Sequence, residues 1–276
     1  MKGYKNKETL SELYKEYKSA YKIAEILDCN EKTIYRWMKK FEIIPQDKTQ
    51  GARKHNCNHD YFSIIDSEEK AYWLGFIMAD GCVYKGDSKG SYRLQINLCR
   101  WDREMLESFN TAINSDYEID DKSVGYVPVS QLKINSTKMC NDLMNLGVVP
   151  RKSKICELPN IDEQYYSHFM RGYFEGDGCI TGKERRWKMC IVSGSEKMMD
   201  DMEQLLNKSG IDMAVYESHF KPGNYSLETT KHETLIKFYE YMYNDANFYM
   251  QRKKDKYDEC LSLICPVLQK CKTITK

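Results

Sequence analysis

No apolar run in these 276 residues approaches the roughly 20 that a bilayer crossing needs. The opening residues, MKGYKNKETL, hold no apolar signal core, and the expected location is intracellular. Cys-x-x-C is absent although there are 11 cysteines, so the thiols read as reduced and mostly packed in the core or lying in a polar linker. The one compact cluster of soft ligands, His55-Asn-Cys57-Asn-His59, has no evident fourth partner for zinc. A dominant charge is missing too. With 42 basic and 41 acidic residues the net charge is +1, which does not advertise a polyanion binder. Phosphate contact needs local positive charge only, and local clusters exist at Arg36–Lys40, Arg151–Lys154, Lys183–Lys188 and Arg252–Lys256. A self-splicing insert would show Cys or Ser at its start and His-Asn at its end; neither is here.

What is present is a repeat. Trp73–Gly81 reads W-L-G-F-I-M-A-D-G, and Met170–Gly178 reads M-R-G-Y-F-E-G-D-G. Both carry Gly at the third place, an aromatic at the fourth, a small residue at the seventh, then Asp-Gly, and both close an apolar helical pattern. Gly75 and Gly172 each cost a helix roughly 1 kcal/mol relative to Ala, which is tolerated where two backbones must approach closely. Gly81 and Gly178 stand where a left-handed helix cap is expected. Asp80 and Asp177 then sit at helix C-termini, the wrong end of the macrodipole for a carboxylate. Two such anions side by side repel each other, and a hard divalent cation would relieve the strain. The plainer alternative is a pair of amphipathic helices with ordinary caps.

The paired nonapeptides resemble the LAGLIDADG homing endonuclease family in its monomeric two-repeat form, over about residues 63–265. Met78 and Glu175 depart from the family's name sequence at a position that is not the essential metal ligand. The resemblance implies an α+β fold: a pseudo-twofold duplicated αββαββα, whose two antiparallel sheets form a DNA-binding saddle beside the central helix pair. It implies metal binding at Asp80 and Asp177, with Gly81 and Gly178 beside them, and Mg²⁺ (or Mn²⁺) as cofactor. It also implies basic active-site residues, for which Lys152 in V-V-P-R-K-S-K and Lys253 in Y-M-Q-R-K-K-D-K are the candidates, with Lys154 and Lys254 one slip away. Water-ordering polar residues are expected late in each second strand, at Asn97 and Ser193. The implied partner is double-stranded DNA with a long asymmetric target, cut once per strand by a monomer to leave short 3′ overhangs. A non-cleaving DNA-binding regulator or an RNA maturase on the same scaffold remains the alternative.

Element patterns support the duplication. Each repeat reads helix, two strands, helix, two strands, helix, with Tyr92–Cys99 alternating Leu94, Ile96 and Leu98 against Arg93, Gln95 and Asn97. The polar strand positions Arg93, Gln95, Gln131, Lys133, Arg186 and Lys188 are candidate base-reading side chains. A further helix is expected over 246–265. Ahead of the repeats, residues 8–43 read as a helical unit. Ile23, Ala24, Ile26 and Leu27 form an apolar face; Asp28-Cys29-Asn30 is a turn; Asn30 caps a helix carrying Ile34, Trp37, Met38 and Phe41. This resembles a helix-turn-helix of the kind found in phage and recombinase proteins, with Lys32, Thr33, Tyr35, Arg36 and Lys39 facing the groove or phosphates. A hairpin that only docks is the other reading. The expected division is 1–48 helix-turn-helix domain, 49–62 linker, 63–164 first repeat and 165–276 second repeat, and the helix-turn-helix combination suggests a phage-encoded protein in a bacterial host.

Overall fold

A computed structural model describes residues 3–43, 55–87 and 89–265. The chain divides into two compact units: the residues up to Cys57 with Asn114–Asp116, and Asn58–Ile113 with Tyr117 onward. Residues 49–54 of the expected linker lie outside the described residues. Its end belongs to packed structure, since Tyr61 and Phe62 are core residues of the larger unit.

In the smaller unit a 3-10 turn at Gly3–Lys5 precedes α1 (Lys7–Tyr17), α2 (Ala20–Ile26) and α3 (Glu31–Lys40). Each helix starts where a short polar side chain accepts from an orphan amide: Asn6 from Thr9 (2.9 Å), Ser19 from Lys22 (3.4 Å) and Asn30 from Lys32 (2.9 Å). Asp28 takes a left-handed φ of 45° in the turn between α2 and α3. Leu10, Ala20, Ile23, Ala24, Ile34 and Met38 are buried together. Ile26 departs from expectation. It stays 50% exposed because it stands two residues, about 200° of helix rotation, beyond Ala24 and so falls off the stripe defined by Ala20, Ile23 and Ala24. The His55–His59 cluster is dispersed: His55 contacts the Asp116 carbonyl (3.0 Å) and His59 the Ser136 hydroxyl (2.7 Å). Among the described residues no three His, Cys, Asp or Glu side chains gather as a metal cage.

The larger unit is the duplicated α+β architecture. The first repeat runs α4 (Glu68–Asp80), β1 (Gly81–Lys85), β2 (Tyr92–Cys99), α5 (Arg103–Ala112), β3 (Ile119–Val124), β4 (Val127–Ile134) and α6 (Thr137–Asn145). The second runs α7 (Tyr166–Asp177), β5 (Gly178–Lys183), β6 (Arg186–Ser193), α8 (Glu196–Lys208), β7 (Ala214–Glu217), β8 (Tyr225–Thr229) and α9 (His232–Tyr243). Each repeat makes a four-stranded antiparallel sheet, ordered β1-β2-β4-β3 and β5-β6-β8-β7. Leu94, Ile96 and Leu98, and in the second sheet Trp187, Met189 and Ile191, point into the helix-covered core. The alternate residues make the opposite, open face. The last helix, α10, spans Gln251–Ile264, shorter at its start than the expected 246–265. Residues 247–250 are not helical because their amides bond outward: Asn247 N–H to Glu68 (2.8 Å) and Met250 N–H to Glu175 (2.6 Å). Among the described residues no helix is long and apolar enough to cross a membrane.

Candidate active site at the helix pair

The two nonapeptide helices, α4 and α7, meet at their glycines. A Cβ on Gly75 would lie 2.0 Å from the Phe169 carbonyl oxygen, and one on Gly172 would lie 2.0 Å from that of Tyr72. The contact is reciprocal, as pseudo-twofold symmetry requires, and no side chain could occupy it. One turn further, Gly176 lies against Ala79 and Asp80: a Cβ there would stand 2.5 Å from Ala79 Cβ and 3.1 Å from Asp80 Oδ2. The small residues at the seventh place therefore let the helix ends converge. Gly81 and Gly178 do not form the expected left-handed caps. Both are extended, with φ −82° and −91°. Their glycine requirement is steric: the chain turns from helix straight into strand, and an added Cβ would strike the Ile77 carbonyl (2.7 Å) or the Phe174 carbonyl (2.4 Å).

Asp80 and Asp177 are thereby presented as the last residues of the paired helices. Burial, and then the charge of Asp177, push the Asp80 carboxyl up to about 6 from its ordinary 3.8, with Asp102 adding to the rise and Lys253 and Lys152 opposing it. Burial likewise raises Asp177, opposed by Lys152 and Lys253. Two carboxylates within one electrostatic field, and two lysines acting on both, define one site.

Lys152 lies in a 3-10 turn (Lys152–Lys154) that follows Arg151, itself left-handed at φ 60°. Its side chain is nearly buried and its ammonium donates to the Ala79 carbonyl (3.2 Å). Lys253 enters from the first turn of α10 and donates to the Gly178 carbonyl. Burial holds both ammonium groups below the ordinary lysine value; Arg252 beside Lys253 lowers it further. Of the neighbouring lysines, Lys154 is exposed, and Lys254 is turned to Asp258 (2.8 Å) and the Tyr239 hydroxyl (3.0 Å).

Beneath the carboxylates lies a polar network that sequence reasoning missed. Arg171 has no exposed surface; it donates to Glu68 (2.8 Å) and to the carbonyls of Met242 (2.7 Å) and Phe248 (3.0 Å). Glu175 accepts from the hydroxyls of Tyr72 (2.5 Å) and Tyr243 (2.9 Å) and from the Met250 amide (2.6 Å), and burial pushes its carboxyl up to about 7. The network ties α4, α7, α9 and the approach to α10 together. Met78, at the place matching Glu175, is simply buried.

On the open face of the first sheet, Gln95 opposes Lys133 and Asn97 opposes Gln131. Gln131 bridges Lys122 (2.5 Å) and Asn97 (2.5 Å), so it is buried rather than freely presented. Arg93 pairs with Asp87. Arg186 and Lys188 are exposed on the second sheet, with Lys188 paired to Glu228 (2.5 Å). Asn97 and Ser193 do not occupy matching positions. Register places Gly81 opposite Ile96 and Gly178 opposite Ile191, so Asn97 corresponds to Val192. Ser193 falls on the core parity, where its hydroxyl accepts from the Ser195 amide (3.1 Å). In the smaller unit, Lys32, Arg36 and Lys39 are exposed on α3, with Thr33 and Tyr35 partly so.

Residues 164–243 match the family model of a LAGLIDADG-like domain, and residues 69–126 that of a WhiA LAGLIDADG-like domain. The chain carries two LAGLIDADG-like domains. Among curated proteins it is 23% identical over 193 residues to DNA-directed RNA polymerase subunit Rpo1C of Methanocaldococcus jannaschii, covering 69% of this chain and 21% of that one. The chain spans about a fifth of the length of the curated relatives it matches. Among solved structures, variants of the homing endonuclease I-DmoI align at TM-score 0.47 and 20% identity, over 68% of this chain and 98% of theirs. Full-length WhiA from Thermatoga maritima aligns at TM-score 0.48 and 17% identity, over 79% and 70%. I-DmoI has been solved in complex with DNA and Ca, and with DNA and Mn. The LAGLIDADG helix pair here presents an all-oxygen donor set. No protein donor among the described residues hydrogen-bonds either Asp80 or Asp177, and their mutual repulsion would be relieved by a cation. Two carboxylates without a third protein side chain fit Mg²⁺ or Mn²⁺, since such hard ions keep several waters. The Gly178 carbonyl, one of the further oxygens suggested by the sequence, is already engaged by Lys253.

Proposed function

We propose that this chain is a site-specific double-strand DNA endonuclease that hydrolyses one phosphodiester per strand with a divalent metal. The observation that carries the reading is the convergence of Asp80 and Asp177 on a glycine-packed helix pair, flanked by the buried lysines Lys152 and Lys253. Asp80 and Asp177 hold Mg²⁺ or Mn²⁺, which when bound supplies activation of water and stabilisation of the leaving 3′ oxygen. Lys152 and Lys253 place one ammonium in each half near a scissile phosphate, to stabilise developing charge or to orient the attacking water. Arg93, Gln95, Lys133, Arg186 and Lys188 on the open sheet faces approach base edges in the major groove, while Gln131 and Asn97 act as a hydrogen-bonded unit. Because the two halves differ in sequence, an asymmetric target suits a monomer. The Asn30-capped α3 would lay Lys32, Thr33, Tyr35, Arg36 and Lys39 against DNA as a helix-turn-helix.

The test is digestion of a plasmid carrying the uninterrupted sequence of the gene's insertion locus, in Mg²⁺, Ca²⁺ or EDTA, with Asp80→Asn and Asp177→Asn in parallel. A discrete Mg²⁺-dependent cut with 3′ overhangs, lost in both variants, is expected. Tight binding of that DNA with no cut in any metal would replace the nuclease by a DNA-binding regulator.

A further inference from the structure

We propose that the Asp102–Arg252 ion pair is a positioning device by which the first repeat sets the active-site lysine of the second; the inference deepens the nuclease reading and rests on it. The pair joins residues 150 apart. Arg252 Nε lies 2.5 Å from Asp102 Oδ1, and Nη2 lies 2.7 Å from Oδ2, a bidentate fork. Asp102 ends the short turn between β2 and α5, and its side chain is only 8% exposed. Arg252 directly precedes Lys253 on α10.

Why α10 needs such a partner follows from its sequence. Its first turn carries Arg252, Lys253 and Lys254 and no acidic residue. Three cations at the positive end of a helix dipole are unfavourable. Carboxylates compensate: from other elements Asp102 takes Arg252 and Glu175 accepts the Met250 amide, while Asp258, one turn along α10, takes Lys254. Successive helix residues are about 100° apart around the axis. Fixing the azimuth of Arg252 on the first repeat therefore fixes that of Lys253, which reaches the Gly178 carbonyl. Arg252 also sets a positive charge beside the Asp102 carboxylate, which adds to the repulsion at Asp80.

The other half uses the same corner with different chemistry. The turn between β6 and α8 holds Gly194 and Ser195. The Ser195 hydroxyl donates to the Cys156 carbonyl (2.5 Å), and a Cβ on Gly194 would stand 2.5 Å from the Ser153 carbonyl. The Lys152 segment thus docks on the second repeat as the Lys253 helix docks on the first. One lysine is set by an ion pair, the other by a hydroxyl and close backbone contact.

The experiment follows each strand separately in the DNA cut by the wild type, with Asp102→Asn, which keeps shape and volume. The strand lost in Lys253→Ala should slow by about 10- to 100-fold, the other strand should be unchanged, and the plasmid should accumulate as nicked circles with DNA affinity retained. Asp102→Glu should restore part of the loss. Equal slowing of both strands, or of neither, overturns the proposal. A second readout does not depend on cleavage: mass-spectrometric counting of lysines modified by an amine reagent, in the full chain. Asp102→Asn should raise modification of Lys253 several-fold and leave Lys152 as it was, with Arg252→Lys intermediate. Unchanged Lys253 labelling overturns the positioning role even if the protein proves not to be a nuclease. A wild type that binds but never cuts overturns only the nuclease reading.

Discussion

The replacement Asp80→Asn should stabilise the metal-free protein, and by an amount that depends on pH. Burial and the Asp177 charge lift the folded-state carboxyl from 3.8 to about 6. A carboxyl with a raised folded-state value stabilises the fold while protonated. That contribution is complete below about pH 4 and disappears as pH rises through about 6. Above pH 7 the wild type therefore carries the full cost of a charged Asp80, about 3 kcal/mol at 1.36 kcal/mol per pH unit of difference. Asparagine is nearly isosteric and uncharged throughout. Urea unfolding in EDTA should show Asp80→Asn more stable than wild type by up to about 3 kcal/mol at pH 8, with the gap closing toward pH 4. Saturating Mg²⁺ should shrink or reverse the gap, because a ligand held by the native state alone stabilises it by mass action. A variant less stable than wild type at pH 8 in EDTA would refute the reasoning: the carboxylate would then be making favourable contacts, not enduring repulsion.

Gly75→Ala or Gly172→Ala should unfold or separate the helix pair, because the new Cβ meets a carbonyl oxygen at 2.0 Å; soluble yield and thermal melting check it, with a loss above about 4 kcal/mol expected. Arg171→Met should cost about 3–5 kcal/mol by leaving Glu68 without its countercharge and two carbonyls without their donor, read by chemical unfolding; a near-neutral result would mean that water replaces the guanidinium. Lys152→Ala should abolish cutting of the strand that Lys253→Ala spares, with binding intact, measured on end-labelled duplexes. Arg36→Ala with Lys39→Ala should weaken DNA binding and lower the steepness of its salt dependence by about 2 in a titration against salt concentration.

Local patterns made most of this fold legible. The Asn30 cap, alternation in Tyr92–Cys99 and the two nonapeptides place helices and strands to within a residue or two. What the sequence hid was pairing over long separations. Arg171 sits within a helix whose neighbours are apolar, and only Glu68, about 100 residues back, and the carbonyls of Met242 and Phe248, some 70 residues on, explain why a charged side chain has no exposed surface. The non-helical approach to α10 was equally invisible, because it depends on Glu68 and Glu175 drawing amides away from a helical ladder. Ser193 lies one place of register from the position matching Asn97, and with a period of two that exchanges the open face for the core.

These hidden contacts share a location. Glu68, Arg171, Glu175 and the Asp102–Arg252 pair all tie the chain after α9 back to the α4/α7 pair or to the first repeat. A duplicated αββαββα unit explains two carboxylates on a symmetric helix pair, but it does not by itself supply a second lysine. In the first repeat that lysine comes from the connection between repeats, where Arg151 must adopt a left-handed backbone; in the second it comes from an added helix. The two halves therefore reach similar electrostatics by unlike routes. The added helix, which places three cations at its own positive end, is the one that depends on partners distant in sequence. Substitutions that break those tethers should impair the Lys253 half first, before the glycine-packed pair that carries the acids is disturbed.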